Sequence, residues 1–194
     1  DVIALDNNTL ARFAEPILIL VNKPRGLICT RSDDLTAETI YDLLPDTLPF
    51  LSYVGRLDVA TEGALLMTND GDLSRALSHP DQAVPRVYQV KVSGKVSKAT
   101  LQRIKEGIPL DNRPTRPVEV ERLSHGERHD RLLLTLVEGR NRHVRRIMES
   151  VGHPVMRLRR QSFAGIHVDG LPLGRWRHLE PEEEHLIRGF ARQN

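Results

Sequence analysis

The apolar residues of this chain arrive in short runs divided by turn-forming residues. Ile17–Asn22, Leu65–Thr68 and Arg131–Val137 each hold an apolar stretch of strand length. Between such runs stand Lys23-Pro24-Arg25-Gly26, Asn69-Asp70-Gly71-Asp72 and Glu138-Gly139-Arg140-Asn141. No run approaches the roughly 18 apolar residues of a membrane-spanning helix. Further strands are expected at Leu27–Thr30, Leu51–Leu57, Arg86–Ser93, Val118–Leu123, Val155–Leu158 and Gly165–Val168. Arg86–Ser93 alternates, with Tyr88, Val90 and Val92 on one face, as a half-buried strand should. Helical spacing is confined to four segments and one short turn. The turn is Thr39–Leu44, stopped by Pro45. The segments are Asp72 to about Ser78 with Asp72 as cap, Ser97–Glu106 between a capping Ser97 and a terminating Gly107, Val144–Val151, and Pro181–Gly189. This is neither a regular strand–helix–strand rhythm nor a pure strand ladder. It predicts an α+β fold around a mixed or antiparallel sheet. Residues 1–15 are polar without a clear period and read as an N-terminal tail, with residues 16–194 as one domain or two packed lobes.

The net charge of +2, from 28 Lys and Arg against 26 Asp and Glu, conceals a biased make-up. Only five of the bases are Lys (23, 91, 95, 98 and 105); the other 23 are Arg, whose planar fork suits phosphates and base edges. Between Arg140 and Arg160 seven Arg (140, 142, 145, 146, 157, 159 and 160) face a single acid, Glu149. That local excess fits a nucleic-acid surface, or else a solvated helix face.

The usual anchors of nucleotide, nicotinamide and zinc-protease chemistry, GxxxxGK[ST], GxGxxG and HExxH, do not occur. The single cysteine, Cys29, excludes an internal disulfide and a multi-cysteine zinc site, and reads as a packed thiol in a reducing, cytoplasmic setting. His125 and His129 have a possible ligand spacing, but they stand in a polar loop without a thiol partner, and no metal is expected. A metal-dependent nuclease would need clustered carboxylates, whereas Asp70 and Asp72 sit in a turn.

The most informative stretch is Gly55-Arg56-Leu57-Asp58-Val59-Ala60-Thr61-Glu62-Gly63-Ala64-Leu65-Leu66-Met67-Thr68-Asn69-Asp70-Gly71. A polar loop carrying an Arg and an Asp lies between two apolar strands, where a rigid scaffold presents chemistry. Asp58 is either a catalytic carboxylate or a cap on nearby amides.

This stretch resembles the G-R-L-D-x-x-[TS]-x-G-L-L-x-x-[TS]-x-D-G signature of the RsuA/RluB/RluE/RluF-type ribosomal RNA pseudouridine synthases. Three more segments are similar to that family in order and spacing: Asn22-Lys23-Pro24-Arg25-Gly26, Arg86-Val87-Tyr88-Gln89-Val90, and Glu138 to Met148. The departures are His143 for the family's Gln, Ala64 for Leu, and Ala164 where Gly is usual.

The resemblance implies a mixed, largely antiparallel sheet with flanking helices and a central RNA cleft between two lobes. It also implies isomerisation of uridine to pseudouridine without metal or cofactor. By resemblance Asp58 is the catalytic carboxylate, Arg145 the cation beside it, and Tyr88 the ring and hydroxyl at the target base. Leu158 packs on that base, and Arg56 fills the stack that the flipped nucleotide leaves. Arg140, Arg142, Arg146, Arg157, Arg159 and Arg160 are expected on RNA phosphates, joined by Lys23 and Arg25. Leu27 to Asp33, Val59 and Glu138 to Arg142 look most like the RluB/RluE branch, which favours 23S over 16S rRNA as substrate. The implied partner is ribosomal RNA or a pre-ribosomal particle, met by a monomer. Many relatives carry an N-terminal S4 domain, and none is visible in this sequence. The competing reading is a non-catalytic RNA-binding or ribosome-assembly module on the same fold.

Overall fold

The computed structural model describes residues 15–31 and 37–191, with the backbone of 4–5 and 8–9. The proposed 1–15 tail and the Ser32–Asp33 end of the family-like segment therefore lie largely outside the described residues.

The apolar runs become a nine-stranded sheet. In chain order the strands are β1 (Leu18–Lys23), β2 (Ser52–Val54), β3 (Thr61–Thr68), β4 (Arg86–Ser93), β5 (Glu119–His125), β6 (His129–Leu136), β7 (Val155–Phe163), β8 (Ile166–His167) and β9 (Trp176–His178). Across the sheet the order is β9-β1-β3-β7-β4-β6-β5, with β2 on β3 and β8 on β7. Only β3 and β7 run parallel, through Leu158↔Thr61, Arg159↔Glu62 and Arg160↔Gly63; every other ladder in this sheet is antiparallel. Four α-helices accompany it: α1 (Gly71–Ser78), α2 (Lys98–Glu106), α3 (His143–Ser150) and α4 (Pro181–Ala191). The α+β reading with a mixed, mostly antiparallel sheet is therefore correct.

Strand composition decides how each half of the sheet is covered. β1 and β3 are buried along their whole length, because both faces pack against apolar layers. Leu18, Leu20, Ala64 and Leu66 meet α1, α4 and Phe163 on one face. Ile19, Val21, Leu65 and Met67 meet Leu27, Ile40, Leu51 and Leu57 on the other. In the second half, Val90, Val92, Leu132, Leu134 and Leu136 form one core with Ile104 of α2 and Val144, Ile147 and Met148 of α3. Each such side chain contributes about 1.5–3 kcal/mol on burial. The intervening Gln89, Lys91, Arg131 and Leu133 stay on the opposite face, as strand alternation requires.

Several local expectations need correction. The cap of α1 is Asp70, not Asp72: its Oδ1 accepts from Leu73 N at 2.9 Å. Leu27–Thr30 is not a strand but carries an isolated bridge, Ile28↔Thr39. β7 runs on to Phe163, β3 starts four residues before Leu65, and Trp176–His178 adds an edge strand. The Ser97 cap and the Gly107 stop are as expected. Gly107 has φ +108°, and a Cβ there would lie 2.5 Å from the Thr115 carbonyl oxygen.

Candidate active site

Asp58 stands on the loop of residues 55–60 between β2 and β3, and buried cations from three directions fix that loop through its carbonyls. Lys23 Nζ donates to the oxygens of Asp58 (3.3 Å), Thr61 (3.0 Å) and Pro24 (3.0 Å). Arg145 NH2 donates to Ala60 O at 3.1 Å. Arg160 donates from NH2 to Gly55 O at 3.2 Å and from Nε to Ala64 O at 2.7 Å. A loop rich in unpaired carbonyls would be costly at this depth; charge-assisted donors remove the cost and set its shape. Backbone bonds from Thr61 N to Asp58 O (2.9 Å) and from Gly26 N to Val59 O (2.8 Å) complete the frame.

The Asp58 side chain is 34% exposed, and its ion-pair partner among the described residues is Arg145, with Nε 4.0 Å from Oδ2. It does not cap the amides of its own loop. Arg145 projects from α3, whose first turn follows the Glu138–Asn141 turn and an Arg142 with φ +48°. Burial draws the Arg145 guanidinium below its ordinary pKa; Arg142 and Arg25 add to that, while Asp58 opposes it.

A pocket of about 270 Å³ opens beside this pair. Asp58, Arg56 and Thr61, Tyr88 of β4, Leu158 of β7, and Arg142 with His143 all line it. Tyr88 and Leu158 reach the same pocket because β4 pairs β7 through Leu158↔Val90 and Arg160↔Tyr88, which puts both side chains on the face that carries α3. Among the described residues the Tyr88 hydroxyl has no hydrogen-bond partner. The structure thus brings Asp58, Tyr88, Arg145, Leu158, Arg56 and Arg142 together, with Arg25 near enough to act on Arg145.

Arg140 and Arg160 also line this pocket, but they and the other nominated bases are held differently. Lys23 is 0% exposed and Arg160 1%, so neither presents its charge to an outside phosphate; burial also pulls Lys23 below its ordinary pKa. Arg140 clamps a neighbouring turn, donating to the carbonyls of Leu110 (3.2 Å), Arg113 (3.2 Å) and Pro114 (2.7 Å), with Glu138 at 3.5 Å. Arg146 is paired with Asp111 at 2.5 Å. Arg157 and Arg159 alternate with Leu158 and leave the sheet on its far side, where they line another pocket. Sequence reasoning passed over Arg86 as a site residue. It is 8% exposed, donates to Val84 O at 2.8 Å and stacks 5.2 Å from the Phe163 ring at the pocket edge. Its place before the Val87-Tyr88 pair was the available signal. His143, at the family's Gln position, is buried with neither ring nitrogen hydrogen-bonded among the described residues.

No group of three or more His, Cys, Asp or Glu able to hold a metal forms among the described residues. His125 Nδ1 is instead paired with the buried Asp130 at 2.8 Å. No described helix is long and apolar enough to cross a membrane.

Residues 17–150 match the sequence profile of the RNA pseudouridylate synthase family. The chain is 36% identical over 179 residues to the ribosomal large subunit pseudouridine synthase B of Bacillus subtilis, covering 91% of this chain and 73% of that protein. It is 38% identical over 173 residues to the protein of the same name from Pasteurella multocida, covering 88% of this chain. It spans only about half the length of that relative and of those from Pseudomonas aeruginosa and Haemophilus influenzae (50%, 50% and 48%). A crystal structure of a pseudouridylate synthase superposes with a TM-score of 0.82 at 30% identity, covering 89% of this chain and 74% of the other. The human RNA pseudouridylate synthase domain containing 1 shares the fold at a TM-score of 0.55 and 17% identity, over 91% of this chain and 92% of the other. On the extent of the profile match and the identity to these relatives, the chain belongs to the RNA pseudouridylate synthase family.

Proposed function

We propose that this protein isomerises a uridine of large-subunit ribosomal RNA to pseudouridine, with Asp58 as the catalytic carboxylate. The observation that carries the reading is Asp58, ion-paired with Arg145, lining one pocket together with Tyr88 and Leu158. The relatives named as large-subunit synthases support the choice of RNA.

The reaction breaks the N1–C1′ bond, turns the uracil, and joins C5 to C1′. The C5 proton leaves and N1 regains one, so atoms and electrons balance within a single nucleotide. The pocket chemistry fits these needs. Asp58 supplies a carboxylate oxygen, and Arg145 beside it balances its charge and orients it when RNA displaces water. Leu158 and the Tyr88 ring together offer a flipped base an apolar surface to pack on, and the Tyr88 hydroxyl stands free to move the C5 proton. Arg56, exposed on the loop before Asp58, fills the gap left in the RNA stack. Arg142 and Arg25, both exposed, meet the flanking phosphates. The protein works as a monomer in the cytoplasm, on ribosomal RNA or a pre-ribosomal particle.

The test is replacement of the native protein by the Asp58→Asn variant in cells, followed by pseudouridine mapping of 23S rRNA. Loss of one modification with normal protein level is expected. Complete modification by the variant would overturn the assignment of Asp58. Absence of any change when the wild-type protein is removed would overturn the large-subunit RNA as substrate.

A further inference from the structure

Lys91, Arg131, Arg157 and Arg159 form a basic patch on the face of the sheet opposite Tyr88 and Leu158. We propose that this far face is a second RNA contact, which grips the phosphate backbone of a substrate segment outside the target loop. The inference rests on the reading of the protein as a ribosomal RNA synthase and extends it from the target nucleotide to the surrounding RNA.

The patch is built by register. Lys91 of β4 lies directly opposite Arg131 of β6 on one side and Arg157 of β7 on the other. With strands about 4.8 Å apart, three cations thus stand in one row about 10 Å long. Arg159 lies two residues along β7 on the same face, about 7 Å from that row. Arg131 and Arg157 are exposed, Lys91 and Arg159 half-buried, and together with Gln89 and Glu62 they line a pocket of about 330 Å³.

The acids nearby do not neutralise it. Glu62 is 3% exposed and its Oε1 takes both Nε (3.1 Å) and NH2 (2.9 Å) of Arg157, a bond that aims Arg157 and leaves its side chain 58% exposed. Glu121 and Glu119 share the face on β5, but they stand opposite Leu133 and Thr135, so β6 separates them from β4. Among the described residues no ion pair is made by Lys91, Arg131 or Arg159.

Like charges placed directly opposite in a sheet destabilise it. A linear polyanion relieves that repulsion along the whole row, and the Arg forks grip phosphate oxygens in bidentate fashion. Two strands, β6 and β5, separate Lys91 from the sheet edge on that side, a span of about 10 Å. A folded RNA can therefore turn that edge while its target loop occupies the Asp58 pocket.

The test compares wild-type protein with the triple variant Lys91→Gln/Arg131→Gln/Arg159→Gln, and with a charge-keeping Arg131→Lys/Arg159→Lys control. The probes are transcribed 23S rRNA and a short stem-loop carrying the mapped target uridine. On 23S rRNA the triple variant should bind about tenfold or more weakly, and its log–log salt slope should flatten by about three, one for each lost phosphate contact. Its isomerisation rate on the stem-loop should match wild type, which also reports an intact fold, and the control, which keeps the charges but not the forks, should keep the wild-type salt slope on 23S rRNA. Unchanged affinity and salt slope on 23S rRNA overturn the far-face contact while the enzymatic reading stands. A wild-type protein that isomerises neither RNA overturns that reading instead. Equal losses on both RNAs also overturn the proposal, because the patch would then act through the target pocket.

Discussion

Arg145 bridges Asp58 and the backbone that carries it. Its Nε lies 4.0 Å from Asp58 Oδ2, while its NH2 donates to Ala60 O at 3.1 Å. One guanidinium on α3 thus orients a carboxylate and fixes the loop that presents it. Arg145→Lys retains the charge but has no fork to serve both oxygens. Single-turnover isomerisation should slow by about 10- to 100-fold, the scale expected of a misplacement near 1 Å, with RNA affinity little altered. A wild-type rate for the Lys variant would show that charge alone suffices.

Tyr88 offers both a ring and a hydroxyl, and only the hydroxyl lacks a partner among the described residues. Tyr88→Phe should therefore leave stability within about 0.5 kcal/mol of wild type. Isomerisation should fall by about 10²- to 10⁴-fold, the range of a lost proton-transfer group. Thermal unfolding and rate assays on one preparation separate the two effects. Retention of full rate would assign Tyr88 to stacking only.

Gly63 marks the place where β3 and β7 pass in parallel. It has φ +113°, and a Cβ there would come within 2.1 Å of the Arg160 carbonyl oxygen. The neighbour is backbone and cannot rotate away. Gly63→Ala should cost more than about 3 kcal/mol, or prevent folding, in denaturant titrations. A loss below about 1 kcal/mol would mean that the ladder yields easily.

His143 gives a pH signature. Burial holds its pKa below the ordinary 6.5; Glu138 opposes this, and Arg140 and Arg146 add to it. Above about pH 6.5 the ring is neutral in folded and unfolded chains alike. As pH falls below that value, the unfolded chain takes up a proton that the folded site resists, so stability declines until the folded site is protonated too. His143→Gln removes this component, and its melting temperature should fall less than that of wild type between pH 7 and pH 5. Parallel curves would rule out a neutral, buried His143 as a source of the acid sensitivity.

The amino-acid sequence by itself determined the fold class and the place of Asp58 on a loop between two apolar strands. Strand-length apolar runs such as Ile17–Val21, the alternation of Arg86–Ser93 and the capped Ser97–Glu106 segment are local signals that the structure retains. The Gly55–Gly71 segment marked Asp58 in the same way. What the tertiary structure alone decided is the fate of the charges. Seven Arg between Arg140 and Arg160 read as one basic stretch, yet they divide into buried braces (Arg145, Arg160), paired or clamped groups (Arg140, Arg146), a pocket wall (Arg142) and far-face cations (Arg157, Arg159). The reason is physical. A helix or strand is set largely by near neighbours, whereas the use of a guanidinium depends on which carbonyl or carboxylate the fold brings within about 3 Å, often from a residue far along the chain. Arg160 meets Gly55, Lys23 meets Thr61 and Arg157 meets Glu62 only because β3 and β7 pair in parallel and β1 lies beside β3. Strand alternation then sends Leu158 to the target pocket and its two neighbours to the far face.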